Sequence, residues 1–202
     1  MSLYFTNEWV QVNGAIDKKT CDRIKSLGEG NWESSKVSPK GSHKHTNEER
    51  LEYRNSDVCW TTEQWLCDLI WPFMLEANKG SGWNLDISAA EDMQLGRYRK
   101  GGFYNWHRDG SSDSLSAYDK PENSFMHGKV RKLTLSLILN DNFEGGDLEF
   151  CSYGEEKSTI TPIELKRGDM IIFTSGMEHR VTPVTKGVRY SLVNWFIGPP
   201  IR

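Results

Sequence analysis

Downstream of residue 85 the chain breaks into short apolar or β-branched runs. They are LTLSLIL (133–139), DLEFC (147–151), MIIF (170–173), HRVTPV (179–184) and VRYSLVNWFI (188–197). The turn-forming tracts EGGD, KRGD, TSGM and TKG separate them. Strands this short, at this spacing, cannot bury their apolar faces singly, and they fold as a sandwich or a barrel-like jelly roll.

Two helices precede the strands and are expected to brace one sheet from outside. DKKTCDRIKSL (17–27) starts with an acidic cap, places Cys21, Ile24 and Leu27 on one face, and meets Gly28 just past its end. TTEQWLCDLIWPFMLEANKG (61–80) opens with a threonine cap candidate and Glu63. It repeats apolar residues at Trp65, Leu66, Leu69, Ile70, Phe73 and Met74. Pro72 falls inside that pattern, where it should kink or split the helix. Two polar tracts, 33–56 and 110–130, read as surface loops, the second long enough to be a lid or binding element.

The chain of 202 residues fits one domain, with helical support and N-terminal strands over 1–84 and the jelly-roll core over 85–202. Hydrophobic residues at 37% and charged residues at 26% are those of a globular chain. A net charge of −3 gives no general pull toward nucleic acid or acidic membranes, so neither is expected as a partner. Four scattered cysteines without a CxxC pair favour reduced thiols over a disulfide framework or structural zinc. The first residues, MSLYFTNEWVQVNG, lack a signal-peptide pattern, and LCDLIWPFMLEANKG is too short and interrupted to span a bilayer. The expected location is cytoplasmic, including that of a virus-infected host cell.

The chemistry concentrates in GGFYNWHRDG (101–110). His107 and Asp109 are two residues apart, so an extended backbone turns both to one side. HxD alone is more often a surface pair. His179, at the head of a later strand, is the candidate third ligand, and two histidines with one carboxylate suit Fe(II) with open positions. Arg189 follows ten residues later. With Pro183 to Gly187 read as a turn, the two strands should pair antiparallel and return Arg189 toward the metal. There its guanidinium can clamp a carboxylate bidentately. Ser191, on the same face, and Tyr98, on the strand leading to the HxD, can add hydrogen bonds.

The neighbours read more plainly. Trp106 should face away from the ligands, whereas Tyr104 is a candidate for the cavity mouth. His43, His45 and His127 are expected to be solvated, and Gly145–Gly146 reads as a strand-to-strand turn. Most of the eight tryptophans should pack the core and sheet edges.

The stretches QLGRYRKGGFYNWHRDG, RKLTLSLILNDNFEGGDLEF and KRGDMIIFTSGMEHRVTPVTKGVRYSLVNWFIG, in that order, resemble the Fe(II)- and 2-oxoglutarate-dependent dioxygenases. Within them the chain is similar to the prolyl 4-hydroxylase-like group with its small virus-encoded members, whose helical support RNSDVCWTTEQWLCDLIWPFMLEANK also resembles. The resemblance implies a double-stranded β-helix of the cupin-like kind, with helical support. It implies iron on His107, Asp109 and His179, and 2-oxoglutarate with its distal carboxylate on Arg189, assisted by Tyr98 and Ser191. It further implies decarboxylation of 2-oxoglutarate to succinate, dioxygen as cosubstrate, ascorbate as an optional auxiliary, and hydroxylation of a prolyl residue in a peptide or protein.

Two features depart from the group's pattern. LSLILN lacks a tyrosine that some members use for the cosubstrate, and Arg189 stands where many carry lysine. A related nucleic-acid demethylase would have a second arginine where Trp195 stands. The rival readings are a cupin-fold metalloenzyme acting on a small molecule, disfavoured because only His179 joins His107 in the candidate site, and a non-catalytic jelly-roll binding module, disfavoured by the intact ligand set.

Overall fold

β9 (Val130–Ile138) is buried almost from end to end, because its two faces meet different layers. Leu133, Leu135 and Leu137 point into a core shared with two helices, while Thr134 and Ser136 point into a cavity on the other side. This is the period-2 alternation of LTLSLIL made physical. The computed structural model describes residues 2–5, 8–35, 53–110, 117–155 and 157–200. His43 and His45, with most of the 33–56 tract, lie outside the described residues, as do residues 111–116 of the second polar tract.

Numbered along the chain, β9 belongs to a nine-stranded antiparallel sheet. Its order is β1 (Ser2–Phe5), β2 (Trp9–Asn13), β13 (Met170–Thr174), β9, β16 (Arg189–Gly198), β7 (Met93–Tyr98), β5 (Asp57–Thr61) and β3 (Glu33–Ser34), with β6 (Ala89–Ala90) on β16. A five-stranded antiparallel sheet runs β12 (Ser158–Ile163), β11 (Leu148–Tyr153), β14 (Glu178–Val181), β8 (Phe103–His107) and β4 (Arg54–Asn55). β10 (Phe143–Gly145) pairs separately with β15 (Val184–Gly187). Phe150 of β11 packs on Phe173 of β13, ring centroids 4.9 Å apart, and this contact joins the two sheets in a small second core.

The helices cover the larger sheet on its outer side. α1 (Lys18–Ser26) starts where expected: the Asp17 carboxylate accepts from the Thr20 N–H at 3.0 Å, and Cys21 and Ile24 are buried. α2 (Gln64–Gly80) buries Leu66, Ile70, Met74 and Ala77. Its N-cap is Glu63, with no side-chain cap bond, so the threonine cap does not form; Thr61 is already the last residue of β5. Pro72 does not split the helix. It lies on the exposed side, where water can satisfy the carbonyl the proline leaves unpaired, while the buried stripe holds both halves to the sheet. Among the described residues no helix is long and apolar enough to cross a membrane.

One expected pairing is not formed. The run 179–184 is not a single strand, and β14 does not pair with β16. Pro183 has no N–H to continue the ladder, and the chain leaves the small sheet there, pairs with β10 as β15 and joins the large sheet only at β16. The crossing is pinned by hydrogen bonds from the Val184 N–H to the Gly102 carbonyl and from the Gly101 N–H to the Val184 carbonyl.

Candidate active site

The two sheets enclose a cavity of about 260 Å³. His107 ends β8 and His179 lies in β14, directly opposite it in the ladder. Asp109 follows β8, with its N–H bonded to the Ser175 carbonyl at 3.0 Å. One ligand atom from each of the three lies within 4.8 Å of the others. The nearest approaches are 4.0 Å from His107 Nε2 to Asp109 Oδ1 and 3.7 Å from His179 Nε2 to Asp109 Oδ2.

Each candidate ligand is oriented from behind. His107 Nδ1 lies 2.7 Å from the Asn105 carbonyl and His179 Nδ1 lies 3.0 Å from the Met177 carbonyl. A carbonyl can only accept, so the proton belongs on Nδ1 and the Nε2 lone pair faces the cavity. The Thr134 hydroxyl donates to Asp109 Oδ2 at 2.7 Å and sits 3.0 Å from the Ser175 hydroxyl. Burial and the adjacent His179 push the His107 pKa well below its ordinary value, which keeps the imidazole a neutral ligand. Burial alone would raise the Asp109 carboxyl. His179, His107, Arg131 and the Thr134 hydroxyl outweigh it and hold the group below the ordinary carboxylate value. Two imidazoles that present Nε2 to the cavity and an ionised carboxylate beside them fit a divalent transition metal.

Arg189 reaches the same cavity by a different route from the expected hairpin. β16 lies in the opposite sheet, and the alternation of Arg189, Ser191, Val193 and Trp195 faces them across to the ligands. Arg189 is 2% exposed, and its Nη1 donates to the Ser191 hydroxyl at 3.0 Å. Its Nε has no hydrogen-bond partner, and no carboxylate pairs with the guanidinium among the described residues. Tyr98, opposite Arg189 in the β16–β7 ladder, lies under it, with Cζ 5.4 Å from the ring centroid. A buried guanidinium aimed into a cavity without an acidic partner fits a ligand that brings the carboxylate. Burial depresses its pKa, the cost such a ligand would relieve.

All six residues singled out from the sequence, Tyr98, His107, Asp109, His179, Arg189 and Ser191, line this one cavity. Tyr104 lines it too, while Trp106 turns outward under the Arg180 guanidinium. His127 is exposed, its Nδ1 accepting from the Lys120 N–H.

Several lining residues escaped the sequence reading. Thr134 was legible as the polar position of an apolar run. Arg54, Gln94 and Arg131 carry no local signal, because their partners are distant in the chain. Arg131 is held by Glu91 through two short hydrogen bonds, 2.7 and 2.6 Å, and lies over Trp195 at 3.9 Å. Trp195 is therefore cavity wall as well as core, and its Nε1 is buried without a partner.

Comparison with known proteins agrees with this geometry. The chain is 35% identical over 103 residues to a PKHD-type hydroxylase of Idiomarina loihiensis, covering 51% of this chain and 40% of that one. The chain thus spans less than half the length of this relative. The viral collagen prolyl hydroxylase of Paramecium Bursaria Chlorella virus-1, solved as a 2OG complex, superposes with a TM-score of 0.62 at 21% identity, over 94% of this chain and 95% of that one. A Trichoplax adhaerens prolyl hydroxylase, in complex with a hypoxia inducible factor peptide fragment, gives a TM-score of 0.67 at 16% identity, over 95% and 84%. These two likenesses establish the shared fold. The sequence profile of the 2OG-Fe(II) oxygenase superfamily matches residues 93–197, a span containing all six residues singled out from the sequence. The chain belongs to that superfamily, whose cofactors are Fe(II) and 2-oxoglutarate.

Proposed function

We propose that the protein is a hydroxylase acting on prolyl residues of a peptide or protein, with His107, Asp109 and His179 holding Fe(II). Arg189 would take the distal carboxylate of 2-oxoglutarate, with Ser191 and Tyr98 fixing the guanidinium. The observation carrying the reading is the placement of the three ligands and the unpaired Arg189 on facing walls of one cavity. The prolyl part draws on the PKHD-type relative and the prolyl hydroxylase neighbours.

Bound together, iron and 2-oxoglutarate supply oxidation of a C–H bond by dioxygen, coupled to loss of carbon dioxide and formation of succinate. The protein's own residues prepare that chemistry. The Asn105 and Met177 carbonyls fix the imidazole tautomers, and Thr134 fixes the carboxylate rotamer. Leu148, Phe173 and Val181 supply apolar wall around the ligands, which limits water at the metal position. Arg189 and Ser191 fix the distance at which a five-carbon dicarboxylate reaches the metal ligands.

Anaerobic addition of Fe(II) and 2-oxoglutarate should give a visible metal-to-ligand charge-transfer band, absent in His107→Ala and Asp109→Ala. Under air, proline-containing peptides should gain one oxygen by mass spectrometry in step with succinate. A band without any oxygenated prolyl product would keep the oxygenase and remove the prolyl substrate. Absence of both band and succinate would remove the whole reading.

A further inference from the structure

Four arginines line the cavity, and they are not equally compensated. Arg131 is clasped by Glu91, and Arg108 lies 3.8 Å from Glu178. Arg189 is accounted for by the cosubstrate carboxylate. Arg54 remains. It is 5% exposed, and its Nε donates to the Ser56 hydroxyl at 2.8 Å while Nη2 donates to Gln94 Oε1 at 2.9 Å. Both partners are neutral, and no carboxylate pairs with this guanidinium among the described residues.

Its place in the cavity is also defined. The Arg54 guanidinium lies over the Tyr104 ring at 4.5 Å, and that ring stacks on His107 with centroids 3.5 Å apart. Arg54 thus sits one aromatic layer from a metal ligand, on the other sheet from Arg189. A cation buried against an amide, a hydroxyl and a π-face loses most of its hydration and regains little of it. Arg131 lies in the same cavity with a bidentate glutamate, so the fold can supply a counter-charge and does not do so here.

We infer that Arg54, seated on Gln94, receives a carboxylate of the primary substrate, so that the substrate class is anionic at the position next to the oxidised carbon. The inference rests on the oxygenase reading above. The carboxylate can come from a free amino acid, from a chain terminus, or from an acidic residue beside the target residue. The shared chemistry is a planar anion meeting a planar guanidinium.

The test is equilibrium binding by ligand-observed NMR to the protein loaded with Zn(II) and saturating 2-oxoglutarate, which occupies Arg189. The probes are pairs differing by one charge: L-proline and L-prolinamide, N-acetyl-L-proline and its amide, and capped proline tripeptides with aspartate or asparagine beside the proline. The same pairs built on alanine run in parallel. At least one pair should favour the acid by about ten-fold or more, and which pair does so identifies the carboxylate's source.

That preference should vanish in Arg54→Gln and survive in part in Arg54→Lys. It should also vanish in Gln94→Glu, which keeps Arg54 and gives it an internal counter-ion. Acid and amide binding alike in every pair overturns the inference, as does a preference that persists in both Arg54→Gln and Gln94→Glu. Acid preference confined to the alanine pairs supports the anion site and removes the prolyl reading. Proline binding indifferent to charge does the opposite. No binding by any compound overturns both.

Discussion

Tyr104 and His107 stack face to face, with ring centroids 3.5 Å apart and planes 15° from parallel, although they stand three positions apart on one strand. Regular alternation would put them on opposite faces. The ladder explains the contact: His179 and Val181, two apart on β14, pair with His107 and Tyr104, three apart on β8. The extra residue is a β-bulge, and it turns Tyr104 onto the ligand side. Tyr104→Phe should leave metal affinity unchanged. Tyr104→Ala should weaken it roughly two- to ten-fold, the worth of an aromatic pair at about 0.5–1.5 kcal/mol. A Zn(II) competition titration reads both variants.

Thr134 is the residue that fixes the Asp109 carboxylate, and it is fully buried beside Ser175. Replacing it by valine keeps the volume and removes the donor. Metal affinity should fall about 10–100-fold, as for other groups that orient a ligand, with the thermal midpoint of the metal-free protein little changed. Thr134→Ser, which keeps the hydroxyl, should restore most of the affinity. A valine variant binding metal normally would show that the Asp109 rotamer is set by the backbone alone.

Gly146 packs against the stem of Arg189. A Cβ there would stand 2.9 Å from Arg189 Cδ and 2.9 Å from Val184 Cγ2, at a φ of +67° that side chains rarely adopt. Gly146→Ala should therefore displace the guanidinium and raise the 2-oxoglutarate dissociation constant about ten-fold or more, with metal affinity retained. Arg189→Lys should raise it as well, because an ammonium cannot form two parallel bonds to one carboxylate. Calorimetric titration of 2-oxoglutarate into the Zn(II)-loaded variants separates the two effects.

The shared faces of the candidate site were legible in the sequence because period-2 alternation is a local rule. His107 with Asp109, and Arg189 with Ser191, share a face by spacing alone, and LTLSLIL states which side chains face the helices. The route of Arg189 was not legible. Pro183 to Gly187 read as a hairpin turn, yet the chain uses that segment to change sheets, and only the distant carbonyl of Gly102 and N–H of Gly101 show it. The bulge in β8 was equally hidden, since it exists only relative to β14. Arg54 and Gln94 are 40 residues apart, so their pairing has no signature in either segment. Thr134 was hidden differently: its spacing was visible, but its acceptor, Asp109, lies 25 residues earlier, just past the end of β8.

Leu135 is fully buried on the helix side of β9, and Trp60, 52% exposed, stands at the cavity rim on β5. Leu135→Ala removes atoms from a core where helix and sheet cannot both collapse onto the space. It should cost about 2–5 kcal/mol in denaturant unfolding. The urea slope should be unchanged, because the surface exposed on unfolding is nearly the same. Trp60→Ala removes a larger side chain but one already half in water, and its cost should be well below that of Leu135→Ala despite the greater volume lost. If the tryptophan variant proved the less stable of the two, Trp60 would be a structural wall of the cavity, with its 6.0 Å contact to Trp195 carrying more of the fold than its exposure implies.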